Sequence, residues 1–281
     1  MASARSRHLP LVIAAALAVG LLTFGAASLW SSLVTDAHAF RLRLVTERQP
    51  PGAQQLQQAA DVLNARLDRL SGALGLHDGA ARPLPPDLVE LEFSTRGDPA
   101  EPIAWLTMPG RAAFHLLHPG RGEPPADADV EPPDGYRVVT YKAKQYRLNP
   151  PRRLETVEHR HLVREEPTLR IESFRQAALH TEGLHRRTVL TLRFREEDAR
   201  RFAAQTAVHV GRRMALLVDG AMFVPPKEIE EAVTGGAVQV QGYFHTPTLR
   251  KLAAVLDAGP LPGRLEDLEP RGVAQAPSSP E

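Results

Sequence analysis

The 281-residue sequence contains no cysteine, which excludes disulfide bonds and thiol chemistry and is compatible with an exported protein. It also lacks a charge bias, because 34 Lys and Arg residues are balanced by 33 Asp and Glu residues. This balance gives no electrostatic reason to expect a nucleic-acid partner. After Trp30 there is no apolar run of the roughly 18 residues that a membrane span needs. Most of the chain is therefore expected to fold outside the bilayer.

Signatures of catalysis are missing as well, since no Ser-His-Asp, nucleotide-binding or zinc-binding pattern is found. His159 and His161 alternate along a possible strand. Two imidazoles make only part of a zinc site, however, and the neighbouring Arg160 and Arg164 would repel a cation. The pair His115 and His118 is equally incomplete. We expect surface histidines here and no metal site.

Two further motifs are also explained better by structure than by catalysis or ligand binding. Asp219 precedes Gly220, a dipeptide that supplies the positive φ of a tight hairpin, so a turn explains the carboxylate better than catalysis does. The triplet at 234–236 is Thr-Gly-Gly without a following Lys-Ser or Lys-Thr, which favours a β-turn over a phosphate loop. We therefore expect no catalytic residue, no cofactor and no enzymatic activity.

The N-terminal 35 residues have the pattern of a membrane anchor or a signal. Basic residues precede an apolar run over residues 9–30, which is long enough to cross a bilayer. The tripeptide Ala37-His38-Ala39 is an A-x-A site in a suitable place for signal cleavage. The length of the run favours an uncleaved single-pass anchor, and cleavage near Ala39 is the alternative. Both place the bulk of the chain outside the cytoplasm.

Twenty-five prolines divide the remaining chain. Residues 119–135 are acidic, rich in proline and poor in large apolar side chains, which is typical of an exposed loop. Residues 271–281 have the composition of a disordered tail. Between these segments, alternating residues at 136–141 and 156–163 predict a two-stranded ribbon that connects two lobes.

The segment 188–270 has the clearest pattern, in the order strand, helix, hairpin, strand, helix, strand. Leu190, Leu192 and Phe194 alternate with polar residues, and three acidic residues from Glu196 onward begin a helix of apolar period 3.6. Pro247 begins a second helix. Upstream, apolar residues recur at helical spacing over 56–74 and a strand follows at 87–93. These elements predict the α+β class, with a ferredoxin-like βαββαβ arrangement for 188–270.

Four segments carry a family resemblance: TLRFREEDARRFAAQT, HVGRRMALLVDG, AVTGGAVQVQGYF and LRKLAAVLDAGPLP. They resemble the end of the first large extracytoplasmic domain of SecD, the accessory subunit of the Sec protein-export translocase. The resemblance implies a base at about residues 38–165 and a head at about 166–270, with some base strands coming from both sides of the head. It departs from the family at 40–45, where Phe-Arg-Leu-Arg-Leu-Val replaces the Gly-rich strand entry.

The resemblance also implies location and partners. It indicates a bacterial inner-membrane protein that handles unfolded or translocating polypeptide and docks on SecF or channel subunits. The family's proton-coupled membrane part has no counterpart in this sequence, so we expect the domain to act without it. The alternative is a non-enzymatic scaffold module of another envelope assembly that reuses the head fold.

Two surfaces are candidates for such binding. The first surface consists of polar and aromatic residues of one predicted strand: Gln239, Gln241, Tyr243 and Phe244. These residues could contact an extended chain, and an exposed edge of the strand could pair with it. Packing within the sheet is the simpler interpretation of the two aromatic residues. The hairpin arm that begins at Met222 and Phe223 is the second candidate, because its apolar tip is expected to fit poorly into a small core.

Overall fold

The computed structural model describes residues 35–46, 50–120, 131–147, 153–182, 187–242 and 246–271. The predicted anchor at 9–30 and the predicted tail after Arg271 lie outside these ranges, as do Tyr243, Phe244 and most of the acidic loop. Within these ranges, no helix has both the length and the apolar character that a membrane crossing requires.

The described residues form strands and helices in an α+β arrangement, as the sequence predicts. The strands are β1 (Asp36–Val45), β2 (His77–Leu84), β3 (Leu88–Thr95), β4 (Ala112–Leu116), β5 (Tyr136–Arg147), β6 (Arg153–Arg164), β7 (Leu169–Ile171), β8 (Phe174–Glu182), β9 (Arg187–Phe194), β10 (Arg213–Val218), β11 (Ala221–Met222), β12 (Lys227–Glu228), β13 (Ala237–Gly242) and β14 (Arg264–Arg271). The helices are α1 (Ala53–Leu74), α2 (Ala100–Thr107), α3 (Glu196–Val208) and α4 (Thr246–Ala258).

A four-stranded sheet in the order β14-β1-β3-β2, covered by α1, forms a lobe that we call the base. Phe40, Leu42 and Leu44 are buried on one face of β1 while Arg41 and Arg43 are exposed on the other. The buried stripe of α1 packs on that face, as its helical spacing predicts. Burial of one sheet face under one helix stripe is what holds the base together.

The base, and not the segment 188–270, has the ferredoxin-like strand order. All its pairs are antiparallel, and helices connect β1 to β2 and precede β14, which is the split βαβ arrangement. The prediction of one ferredoxin-like sheet over 188–270 is wrong, since β9, β10 and β14 lie in three different sheets. Alternation identified these strands correctly but carries no information about which strand lies beside them.

The sheets do not follow the predicted linear division between residues 165 and 166. β4, β5 and β6 precede it but lie in a different sheet from β1, β2 and β3. β14, which was predicted to be part of the head, pairs with β1 along its length, with Leu44 opposite Leu265. The implication that base strands come from both sides of the head is the one that the structure matches.

The remaining strands form a second lobe, the head, with two sheets. The larger sheet has the order β6-β5-β11-β10-β4-β7, with β12 beside β10, and the smaller has the order β13-β9-β8. Side chains of both sheets, of α3 and of α4 share one core. β5 and β6 pair over twelve residues, which confirms the predicted pairing. The pair forms the outer part of this head sheet, however, and does not connect two lobes as predicted.

Helix α4 is shared between the two lobes. Leu249, Leu252 and Leu256 are buried in the head core, while Val255 is buried in the base core. The helix packs against β8 of the head and against α1 of the base. Because both of its faces are buried, α4 fixes the position of the head relative to the base.

A buried arginine ties together the two chain segments that run between the lobes. The four Nη hydrogens of Arg66 are donated to carbonyl oxygens of Leu106 (2.7 Å), Met108, Pro109 (3.3 Å) and Gly259 (3.0 Å). The Arg66 side chain has no exposed surface. One side chain of α1 therefore supplies donors to carbonyls of both segments, although the carbonyl of Pro109 also accepts the N–H of Leu261.

Asp219 completes this joint from the head. Its carboxylate accepts the backbone N–H groups of Gly110 (2.8 Å) and Arg111 (2.9 Å). Gly110 has φ of +77°, and a Cβ there would lie 2.8 Å from Nη2 of Arg66, so only glycine fits. Burial lowers the pKa of the Arg66 guanidinium to about 10, and the charge of Asp219 opposes that shift. Arg66 therefore stays protonated at neutral pH.

A second polar link runs through Asp257 on α4. One of its carboxylate oxygens pairs with Nε of Arg69 on α1 at 2.7 Å, and the other accepts the backbone N–H of Ala177 on β8 at 3.0 Å. Lys251, also on α4, pairs with Glu101 on α2 and lies over the ring of Trp105. These contacts connect the lobes without adding apolar area.

Removal of the Arg66 donors tests the joint. We expect Arg66→Met, which keeps the apolar stem, to lower the free energy of unfolding by about 3 kcal/mol or more, because it leaves buried carbonyls without a partner. Chemical denaturation of the purified protein measures this. Arg41→Met on the exposed face of β1 is the control and should change stability by less than about 0.5 kcal/mol. Equal stability of the two variants would contradict the role given to Arg66.

Shortening one buried side chain of α4 tests whether the two lobes unfold together. Leu252→Ala should cost about 2–5 kcal/mol as a large-to-small change in a buried position. Because α4 is common to both cores, amide hydrogen exchange should accelerate in β3 of the base as well as in β9 of the head. Arg250→Ala, exposed on the same helix, should leave both unchanged. Faster exchange confined to the head would show that the base unfolds independently.

Candidate functional site

An open cleft of about 330 Å³ lies in the head. Its floor comes from β4, α3 and β10, and its walls come from β13 on one side and from the segment 224–233 on the other. The floor is mostly apolar and consists of Phe114, Phe202, Thr206, Met214 and Leu216. Apolar side chains also line both walls, and they are Val224, Pro225, Ile229, Val233, Val238 and Val240.

Aromatic packing makes the floor rigid. The rings of Phe114 and Phe202 are 4.7 Å apart, and the ring of Phe194 lies 4.7 Å from that of Phe202. All three side chains are at most 5% exposed. Tilted ring pairs at these separations add to the stabilisation from area burial, so the floor does not collapse into the cleft.

Hydrogen bonds hold the wall formed by the segment 224–233. The hydroxyl of Thr206 on α3 donates to the carbonyl of Phe202 at 2.9 Å and accepts the N–H of Val233 at 2.9 Å. Ile229 donates its N–H to the carbonyl of Arg212 and accepts the N–H of Gly211, at 2.9 and 2.8 Å. The wall is therefore fixed to α3 and to the start of β10 although it contains little regular structure.

The rim of the cleft is charged. Exposed side chains of Lys227, Glu228, Glu230 and Glu231 border it on the side of the segment 224–233. No ion pair among the described residues involves the three glutamates. An apolar interior with an acidic border suits a ligand that is itself partly apolar.

The predicted binding residues are placed unequally. Gln239 borders the cleft and is exposed. Gln241 lies further along β13, opposite Val189 of β9. Tyr243 and Phe244 are outside the described residues. Of the set predicted from strand pattern and aromatic content, the structure brings only Gln239 to the cleft among the residues it describes.

The first residues of the hairpin arm, Met222 and Phe223, are not exposed. Met222 is 6% exposed and packs with Tyr141 and Leu217, because β11 lies between β10 and β5 in the larger sheet. Phe223 is half-buried against the head core, with its ring 6.1 Å from that of Trp105. The expectation that this apolar tip fits the core poorly is wrong. The larger sheet offers a core that a reading of 188–270 alone does not reveal.

Several residues of the cleft were missed by sequence reasoning. Phe202 and Met214 were recognised only as members of a helix and a strand. Ile229 and Val233 carry the available signal, because they are apolar residues among the glutamates of a segment without strong periodicity. Such residues in an irregular, otherwise polar segment indicate burial against a surface that lies elsewhere in the fold.

The histidines and turn motifs named from the sequence lie in or beside strands and in turns. Within the described ranges, no three His, Cys, Asp or Glu side chains are grouped to hold a metal ion. The expectation of surface histidines is wrong for His115 and His161, which are both buried. The Nδ1–H of His115 donates to the carbonyl of Arg164 at 2.8 Å. Gly236 accepts the N–H of Phe194 in the turn that precedes β13.

Comparison with known proteins gives a consistent result. Residues 146–263 match the family model described as SecDF, P1 head subdomain. The protein translocase subunit SecD of Acidaminococcus fermentans is 41% identical over 85 residues, which are 30% of this chain and 20% of that protein. SecD of Syntrophobacter fumaroxidans is 25% identical over 219 residues, which are 78% of this chain and 39% of that protein. Over most of its length the chain is therefore similar to proteins of the SecD family.

Solved structures agree at the level of the fold. A structure of SecDF, described as a membrane component that enhances protein export, aligns with a TM-score of 0.57 and 18% identity over 84% of this chain and 100% of that chain. This likeness shows that the SecD-family fold is shared. The chain spans 20% and 39% of the length of the two SecD relatives above. The predicted resemblance to the SecD family is thus confirmed.

Burial of His115 makes the stability of the domain depend on pH. Burial lowers the pKa of His115 below its usual value of 6.5, and the charges of Arg137 and Arg170 add to this against the bond to Arg164. The unfolded chain then binds a proton that the folded chain resists. Stability is therefore complete above the unfolded pKa and is lost as pH falls through about 6.5 towards the lower folded value.

The test compares the free energy of unfolding at about pH 7.5 with that at about pH 5.5. We expect the loss at the lower pH to be smaller in His115→Gln than in the unchanged protein, while His77→Gln, at an exposed position, keeps it. A loss of equal size in the His115 variant would show that other groups cause the pH dependence.

Proposed function

We propose that this chain acts in protein export as an extracytoplasmic SecD-type domain that binds a translocating polypeptide in the cleft of its head. The observation that carries the proposal is the open apolar cleft within the segment that matches the P1 head subdomain. SecD relatives are protein translocase subunits, which supports a role in export. The domain works as a binding module and not as an enzyme.

The physical character of the cleft favours an unfolded chain over a small molecule. A volume of about 330 Å³ is at the lower end for small-molecule pockets, and the cleft is partly open to solvent. An unfolded polypeptide exposes apolar side chains that a folded protein buries. A cleft with a rigid aromatic floor takes up a few such side chains at a time without recognising one sequence.

The proposal gives the base a second contact, with other subunits of the membrane machinery. In this proposal it docks onto SecF or channel subunits, and residues 9–30 tether the domain to the bacterial inner membrane with the bulk of the chain outside the cytoplasm. Retention of the tether is favoured by the place of Ala39 in the fold. Ala39 lies inside β1, opposite Glu92 of β3, so cleavage there would remove the first four residues of that strand.

Site-specific crosslinking tests polypeptide binding. A photo-reactive phenylalanine analogue at position 239 should form adducts with a preprotein arrested during export in membranes. The same analogue at position 82, exposed on β2 of the base, should form few. Adducts only with unrelated envelope proteins would favour the scaffold function and contradict export.

A substitution in the cleft measures how much the cleft contributes to polypeptide affinity. Val238→Asp places a carboxylate in the apolar wall, and affinity for an unfolded polypeptide should fall about tenfold, since 1.4 kcal/mol of lost binding corresponds to that factor. Arg82→Asp is the matched control for added negative charge and should bind as the unchanged protein does. Fluorescence anisotropy with a labelled unfolded polypeptide measures both. Equal affinity of the two variants would exclude the cleft as the site.

A further inference from the structure

The cleft runs along the main chain of β13. Val238, Gln239 and Val240 are consecutive, and side chains of consecutive strand residues point to opposite faces of a sheet. All three nevertheless border the cleft. This arrangement is expected where the cleft follows the edge of the strand, at which backbone N–H and C=O groups are presented.

That edge has no partner in the described part of the chain. β13 is the last strand of the smaller head sheet and pairs only with β9, with Val238 opposite Leu192 and Val240 opposite Leu190. No backbone hydrogen bond reaches residues 237–242 from another described element. A strand edge of this kind is a template for one more strand.

The opposite wall sets the character of an added strand. Ile229 faces the cleft there, and the exposed carboxylates of Glu230 and Glu231 border it beside the single ammonium group of Lys227. Glu228 lies opposite Arg213 in the pairing of β12 with β10. The net charge along this wall is therefore negative, and complementarity favours an occupant with basic residues.

We propose that the translocating polypeptide binds by adding a strand to the free edge of β13. Its main chain pairs with β13, alternate apolar side chains point towards Phe114 and Phe202, and a basic residue lies near Glu230 and Glu231. Main-chain pairing gives affinity that does not depend on sequence, and the cleft selects apolar residues at every second position. This inference rests on the proposed function and specifies the mode of binding.

Backbone methylation of a peptide is a direct test. The probe is a fluorescent peptide of about nine residues, a typical strand length or slightly more, with alternating valine and threonine and a lysine pair at one end. Two versions carry N-methyl groups on alternate amides, one on the odd positions and one on the even positions. Each version removes the same number of donors and leaves the side chains unchanged.

Strand addition predicts unequal effects of the two versions. Only alternate amides of an added strand bond to the edge, so one version should bind the full-length protein in detergent roughly tenfold more weakly, and the other should match the unmethylated peptide. Equal binding of both methylated versions would overturn strand addition and leave the proposed function intact. Failure of every peptide to bind would overturn the proposed function itself.

The charge preference has its own control. Exchange of the lysine pair for a glutamate pair should weaken binding several-fold at low salt, and Glu230→Gln with Glu231→Gln should abolish most of that difference. The substituted positions are exposed, so folding should be unaffected. An unchanged preference in the double variant would overturn the assignment of the basic residue to this wall. Concentration-dependent dimerisation that competes with the peptide would show that a second copy occupies the edge, which also overturns the proposal.

Discussion

The two-sided burial of α4 is the constraint on which the remaining structure depends. A helix normally buries one stripe and exposes the other to water. Here Leu252 is enclosed by the head core and Val255 by the base core, and Asp257 at the same helix end binds both lobes. Neither lobe can close its core without this helix. The orientation of the cleft relative to the base sheet therefore follows from the packing of thirteen residues.

The polar joint solves a problem that this packing creates. Two chain segments pass between the lobes in a region that is only partly accessible to water, so several of their carbonyls take donors from the protein. Arg66 supplies them in one fork, and the desolvation that lowers its pKa is opposed by the charge of Asp219. Apolar packing positions the lobes, and this arginine makes that position compatible with the hydrogen-bonding needs of the backbone.

Local pattern predicted much of the fold. The stripe of α1, the alternation of β9 and the β5–β6 ribbon follow from residue spacing, and the α+β class follows from their sum. Strand neighbours could not be predicted, because the alternation in β14 identifies its buried face and not the strand beside it. The same limit applies to the cleft. Gln239 was identified from its strand, whereas Phe202 and Met214 become a floor only after three elements meet, and Arg66 was passed over because a charge interrupts an apolar stripe.

The antiparallel pairing of β1 with β14 has a mechanical consequence. Ala39 lies opposite Arg271 at one end of this pair, and Val45 lies opposite Arg264 at the other end, from which the chain continues towards the joint. The two strands thus have their outer ends side by side, roughly 20 Å of strand away from the end that lies towards the joint. A load applied through both flanks would therefore act on the β1–β14 pair from its outer end, one rung at a time.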